Sequence, residues 1–313
     1  MAPPSEQSSV KDSTNEANPT YQAPPGRLGN LTVIQNHTLE KMKKELQAEG
    51  KYHPIHLTDT HFFVHQGIFV PERHDDATLL RFLRARRFDL AKAKEMLIAA
   101  EKWRKEFGVD DIENFDYSER EAVDRYYPQF YHKTDKDGRP LYIERLSRLD
   151  VKALYSITTQ DRMLKHLVQE YEKMIKYRYP ACSELVGHPV ETSCTILDLQ
   201  GVGLGQFYRV GDYVRAAAKI GQDYYPEVMG SFYIINAPYL FSTVWSLIKP
   251  WLDEVTVAKI NILGKDYKKT LLAQIPEENL PMDLGGTCQC VGGCSLSDAG
   301  PWNEVEQIEN GQE

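Results

Sequence analysis

Apolar and polar positions follow two successive regimes along this chain. In TLEKMKKELQAEG, residues 38–50, the apolar residues recur at helical spacing and the run stops at Gly50. DDATLLRFLRARRFD offers an acidic cap followed by the stripe Leu79, Leu80, Phe82 and Leu83, which predicts a second helix. LAKAKEMLIAAEKWRKEFG, 90–108, predicts a third, closed by Gly108. From about residue 116 strands and helices alternate. KTDKDGRP places a turn at Asp137-Gly138 ahead of the strand LYIERL. The segment 160–178 is helical through Met163, Leu164, Leu167, Val168, Tyr171, Met174 and Ile175. TSCTILDLQG, FYIINAP and VAKINILG read as strands, while FYRVGDYVRAAAKIGQDYYP and YKKTLLAQI read as helices. This alternation implies an α/β fold: a helical N-terminal lobe, then a largely parallel sheet with crossover helices.

One stretch stands out. Residues 231–252, SFYIINAPYLFSTVWSLIKPWL, carry a single charge, Lys249. Asn236, Pro238, Ser242, Ser246 and Pro250 interrupt it, whereas a spanning helix needs about 20 apolar residues with its backbone bonds intact. The pattern predicts a buried strand that turns at Ala237-Pro238 into an apolar helix, FSTVWSLIKPWL. Such a helix either completes a core or faces something greasy.

Charge and chemistry narrow the function classes. The 313-residue chain has a net charge of −8 and a pI near 5.7, which argues against nucleic acid as a partner. Nine basic residues lie between Arg81 and Lys105 (81, 84, 86, 87, 92, 94, 102, 104 and 105) against Asp89, Glu95 and Glu101. That imbalance suits either a solvated helix face or a local anionic partner. The N-terminus, MAPPSEQSSV, has no signal-peptide pattern, and the five cysteines point to a reducing, cytoplasmic compartment. Cys288, Cys290 and Cys294 cluster in TCQCVGGC, but no Cys or His nearby in sequence supplies a fourth zinc ligand, so no metal is expected. His61 and His65 lack a carboxylate to complete a metal set, and Asp135 and Asp137 read as turn residues. GVGLGQF has its third glycine out of place for a dinucleotide loop. No nucleophile elbow occurs, and Ser193 near Glu191 and His188 is weak support for a triad. The expectation is a binding protein, not an enzyme, without a cofactor.

LLRFLRARRFD, FYHKTDKDGRPLYIE, ETSCTILDLQG, YYPEVMGSFYIINAP and LPMDLGG, in that order, resemble the CRAL-TRIO lipid-binding proteins, in particular their fungal phosphatidylinositol/phosphatidylcholine transfer branch. The resemblance implies a sheet that floors a phospholipid cavity and an apolar helix that gates it. It places a phosphatidylcholine headgroup on Tyr131, Tyr142, Glu144, Ser193 and Thr195. A phosphatidylinositol headgroup falls on Arg86, Arg87, Glu227, Thr256 and Lys259, with Arg87 standing where a lysine is usual. Phe241, Val244, Trp245 and Ile248 belong to the gate. The plain readings are strand alternation for Tyr142, Glu144, Ser193 and Thr195, surface solvation for the two arginines, and an ion pair between Glu227 and Lys259. The implied function is exchange of single phospholipids between membranes by a monomer, in support of phosphoinositide synthesis and secretory traffic. The implied location is the cytoplasm, with transient contact on Golgi or endosomal membranes. The alternatives are a regulator that presents phosphatidylinositol to a phosphoinositide kinase and a carrier of another hydrophobic ligand such as a sterol.

The implied organisation is a disordered segment 1–36, a helical lobe 37–115, the lipid-binding domain 116–290 and a tail 291–313. The family runs almost directly from the first helix into the acidic cap, whereas this chain carries an insert at 51–67. Gly50-Lys51-Tyr52 can be encoded by GGTAAGTAT, a splice-donor pattern, and excision of the insert leaves AEGIFVPERHDD. The insert therefore reads as a retained intron, or else as a surface loop. Transcript sequencing tests this, and abundant message containing the segment overturns the intron reading.

Overall fold

The computed structural model describes residues 21–51, 69–147 and 149–303; the 51–67 insert, apart from Lys51, lies outside them. Three helices build the N-terminal lobe: α1 (Val33–Lys51), α2 (Asp76–Ala85) and α3 (Leu90–Phe107). Leu39, Met42 and Leu46 of α1 pack with Leu79, Leu80 and Leu83 of α2 and Ala93, Leu97 and Ala100 of α3. The acidic cap expected of α2 forms, with Asp75 accepting from the Thr78 amide, and α3 starts at Leu90 as predicted, capped by Asp89, which accepts from the Lys92 amide. Gly108 closes α3 with φ of 78°. The expected disorder through 36 does not hold for 21–36. Tyr21 stacks on His188 at 4.0 Å and Arg27 pairs with Glu191 at 2.5 Å, so this segment lies against the second lobe, and α1 begins ahead of residue 38.

Glu101 pins the residues just before α2. It accepts from Arg73 Nε at 3.0 Å and lies 3.0 Å from His74 Nε2. Burial works against the ionised carboxyl, but the bonds to His74 and Arg73 outweigh it and hold the pKa at about 2, below the ordinary 4.5. A depressed carboxyl stabilises the fold above its unfolded pKa. That contribution is therefore lost as pH falls from 4.5 towards about 2. Thermal melts across this range should show a shallower acid-side loss of Tm in Glu101→Gln than in the native chain. Parallel acid limbs would refute the assignment.

The second lobe runs α4 (Arg120–Asp124), β1 (Gln129–Thr134), β2 (Pro140–Arg145), α5 (Val151–Ile157), α6 (Gln160–Lys173), a π-helical turn Met174–Arg178, and α7 (Tyr179–Val186). It continues with β3 (Ser193–Asp198), α8 (Leu204–Tyr224), β4 (Met229–Ile235), α9 (Phe241–Ile248), α10 (Glu254–Ala258), β5 (Ile260–Ile262) and α11 (Lys268–Gln274). The five strands lie in the order β1-β2-β3-β4-β5; β1 and β2 form an antiparallel hairpin and the remaining pairs are parallel. The hairpin turns where expected. Asp135 Oδ1 accepts from the amides of Asp137 and Arg139, and Gly138 adopts a φ of 77°.

Strand alternation gives the sheet two unlike faces. Leu141, Ile143, Cys194, Ile196, Tyr233 and Ile235 point to one side, where Leu271 of α11 and Ile275 just past its end cover them with Leu280 and Leu284. The other face looks towards α6, α8 and α9 and is left partly uncovered by protein. The predicted apolar helix after Pro238 is shorter than its composition suggests. It is α-helical only to Ile248 and tightens into a 3₁₀ turn at Lys249–Trp251, because Pro250 has no amide to continue the ladder. Among the described residues no helix is long and apolar enough to cross a membrane.

Candidate functional site

Between the free face of the sheet and the helices lies a cavity of about 770 Å³, in the upper part of the range of ligand pockets. Register explains its floor. Tyr131 pairs with Tyr142, Tyr142 with Thr195, Thr195 with Phe232 and Phe232 with Ile260, so one row across all five strands faces the same way. Every member of that row lines the cavity. The row two residues on contributes Glu144, Leu197 and Ile234, and Ser193 and Met229 stand at the opposite end. A slip of one residue would send the whole set to the α11 side.

The polar end of this floor is aromatic and carries one carboxylate. Tyr131 and Tyr142 have ring centroids 4.9 Å apart, and the Arg178 guanidinium lies 4.0 Å from the Tyr131 centroid. Glu144 accepts a hydrogen bond from Tyr127 Oη at 2.8 Å. Burial raises its pKa, only partly offset by tyrosine donors, and Glu144 enters no ion pair among the described residues. A carboxylate in that position lacks a cation. Ser193 Oγ donates weakly to Val228 O at 3.4 Å.

The opposite rim is basic. Arg86 caps α2, and Arg87 and Phe88 follow with φ of 51° and 61°, while the Phe88 amide returns to Leu83 O at 2.7 Å. Two consecutive left-handed residues turn the chain sharply and present Arg87 outward, its side chain 85% exposed. Lys259 Nζ lies 3.5 Å from Glu227 Oε2, so the ion pair does form, and Glu227 is itself held at φ of 61°. Thr256 Oγ1 donates to Asp253 Oδ2 at 2.6 Å within the cap of α10. Arg86, Arg87, Glu227, Thr256 and Lys259 all line the same cavity as the tyrosines.

Arg84 was not singled out by sequence reasoning, and it also lines the cavity. Its Nη2 pairs with Glu191 Oε2 at 3.1 Å, and burial lowers its pKa. Its Nε is buried with no hydrogen-bond partner. The helix pattern carried a signal, since Arg84 lies one turn from Leu80 and on the packed side of α2. Tyr127, Tyr171, Tyr213 and Tyr225 also line the cavity and were likewise missed.

The helix expected to act as a gate, α9, presents two faces. Phe241, Trp245 and Ile248 line the cavity, with Phe241 packed on Phe207 at 5.6 Å. Val244 does not line it; this residue is 4% exposed and belongs to the core beneath. The apolar side chains that face solvent are Tyr239, Leu240, Leu247 and Val255.

A family model for the CRAL/TRIO domain matches residues 124–286, and one for the CRAL/TRIO N-terminal domain matches 38–99. The chain belongs to the CRAL-TRIO family. This CRAL-TRIO chain is 56% identical over 285 residues to the Sec14 cytosolic factor of Schizosaccharomyces pombe, covering 91% of this chain and 93% of that protein. It is 59% identical over 287 residues to the SEC14 cytosolic factor of Kluyveromyces lactis, covering 90% and 89%. The phosphatidylinositol/phosphatidylcholine transfer protein SFH12 of Arabidopsis thaliana is 45% identical over 250 residues, which cover 77% of this chain and 46% of that protein. Among solved structures, Sfh5 matches with a TM-score of 0.56 at 16% identity, covering 90% of this chain and 99% of that one, a likeness of fold alone.

The sequence expectation that Cys288, Cys290 and Cys294 stand without a fourth ligand is corrected in space. His132 of β1 lies among them, with Nε2 3.4 Å from Cys288 Sγ.

Proposed function

We infer that this chain carries phosphatidylinositol and phosphatidylcholine, one molecule at a time, between membranes. The observation that carries this reading is a single cavity with an aromatic, anionic end and a basic rim, joined by an apolar floor. The Tyr131 and Tyr142 faces and the unpaired Glu144 suit a quaternary ammonium, while the Ser193 and Thr195 hydroxyls suit its phosphate. Arg86, Arg87 and Lys259, with the Arg84 Nε that makes no hydrogen bond, suit the phosphate of an inositol lipid. Glu227 and Thr256 can serve the ring hydroxyls.

Magnitude explains the gate. A diacyl lipid hides about 30 methylenes, on the order of 25 kcal/mol against water at ~0.8 kcal/mol each. Cargo of that kind needs a cover in transit, which Phe241, Trp245 and Ile248 supply from inside. Unloading needs a membrane that accepts the cover, and Tyr239, Leu240, Leu247 and Val255 are its outward apolar contacts. Contact is then transient, consistent with relatives named cytosolic factors.

Vesicle-to-vesicle transfer of labelled lipids tests the reading: both phosphatidylinositol and phosphatidylcholine should move, and transfer of neither would reject it. Leu240→Asp with Leu247→Asp should slow both by about tenfold or more, from ~1.5–3 kcal/mol of lost apolar burial per side chain. Lipid already bound should remain. Unchanged transfer would remove these two residues from the membrane contact.

A further inference from the structure

We propose that His132, Cys288, Cys290 and Cys294 form a zinc site that fastens the C-terminal segment to the edge of the sheet. The four candidate ligand atoms all lie within 4.8 Å of one another. A tetrahedral ion with Zn–S of about 2.3 Å and Zn–N of about 2.0 Å separates its ligands by roughly 3.6–3.8 Å. Here Cys288 Sγ lies 3.8 Å from Cys290 Sγ and 3.4 Å from His132 Nε2. Three thiolates and one imidazole are a closed donor set for zinc, and soft sulfur ligands disfavour magnesium and calcium.

The local chain is built to hold this arrangement. Gly292 and Gly293 adopt φ of 77° and 101°, and the Gly293 amide donates to Cys290 O at 2.9 Å. That turn brings Cys294 back beside Cys290, and a side chain at either glycine would strain it. The Cys288 amide donates to Leu280 O at 3.1 Å, which fixes the first cysteine against the rest of the lobe.

Hydrogen bonding also accommodates the histidine tautomer that a metal needs. Ser297 Oγ donates its only proton to Cys294 O at 3.1 Å and lies 3.4 Å from His132 Nδ1. With that proton on Cys294 O, Oγ accepts from Nδ1–H, the tautomer that leaves the Nε2 lone pair on the side of the cysteines. A metal-bound histidine commonly donates its other ring N–H to an oxygen acceptor, and the Ser297 hydroxyl stands in that place. Zinc binding here converts three thiols to thiolates and releases their protons to solvent. A disulfide would use only two of the cysteines and leave the third thiol and the histidine without a role.

The site has a structural consequence. β1 is an edge strand, and the Lys133 amide pairs with Ala299 O at 2.5 Å, so the C-terminal segment covers that edge. Lys133 itself sits at φ of 52°, a strained conformation next to the histidine ligand. Beyond it Trp302 packs edge-on against Tyr131 at 6.2 Å, and Arg178 contacts both rings. The ion would hold this cover in place behind Tyr131.

The test is the metal content of the full chain, freed of any purification tag, loaded with zinc under reductant and dialysed against zinc-free buffer. About one zinc per chain is expected, and cobalt substitution should give the intense visible bands of a tetrahedral thiolate site. Ser297→Ala should weaken zinc binding about 10–100-fold while leaving the far-ultraviolet circular dichroism unchanged. Cys290→Ser with His132→Gln should abolish stoichiometric binding. The native chain retaining no zinc, a weak octahedral cobalt spectrum, or zinc retained in the double variant would each overturn the proposal.

Discussion

Glu144→Lys is expected to abolish phosphatidylcholine transfer and to leave phosphatidylinositol transfer largely intact. Glu144 is a carboxylate on the cavity floor, bonded to Tyr127 Oη and without a cationic side chain in an ion pair among the described residues. A choline headgroup would supply that cation. A lysine there places an ammonium where another ammonium must bind, a like-charge contact in a dry site worth several kcal/mol. The gentler Glu144→Gln keeps the shape and removes the charge. A hydrogen bond or contact to a charged group contributes about 1.5–3 kcal/mol, so phosphatidylcholine affinity should fall roughly 10- to 100-fold.

Stability should move the other way. Burial raises the pKa of Glu144, so its folded pKa lies above its unfolded one. A carboxyl shifted in that direction favours the fold at low pH and opposes it as pH rises through the folded pKa. The lipid-free Glu144→Gln chain should therefore melt no lower than the native chain at neutral pH. Binding down with stability level or up is the signature of a residue kept for its ligand. A fall in both would return Glu144 to a structural role.

Arg87→Ala combined with Lys259→Ala is expected to reduce phosphatidylinositol transfer about 100-fold, from two charge-assisted contacts of ~1.5 kcal/mol or more each. Phosphatidylcholine transfer should survive. Arg87 is 85% exposed and its ion pair to Glu254 at 3.8 Å lies at the surface, so its loss should not disturb the fold. Removing Lys259 leaves Glu227 beside Arg84 Nε at 4.0 Å, so the carboxylate keeps a cationic neighbour. Steady-state transfer of the two lipids, measured in parallel on the same preparation, separates the outcomes. Equal loss of both would place the phosphatidylinositol site elsewhere.

Much of this architecture is legible in sequence because it depends on short periods. Alternation in LYIERL and TSCTILD puts Tyr142, Glu144, Ser193 and Thr195 on one face, and the structure keeps them there. Caps at Asp75, Asp89 and Gly108 are local hydrogen bonds and are equally readable. The gate is less so. Val244 has the same apolar character as Trp245, yet one faces the core and the other the cavity, a difference of rotation about the helix that only packing decides. Arg84 sits within a basic run that a solvated surface would also explain, and its burial depends on Glu191 and Glu227, more than 100 residues away. The His132 and Cys288 pair is separated by 156 residues, so no spacing rule along the chain could join them. What escapes sequence reading here is contact between distant segments.

Mass spectrometry of the lipid that co-purifies with the native chain tests the central claim most directly. Phosphatidylinositol and phosphatidylcholine should both be recovered, with a combined total of no more than about one lipid per chain, because on the proposed reading this cavity takes one cargo at a time. Recovery of a sterol alone, or of no lipid from a chain that also fails to take up either phospholipid from vesicles, would contradict it.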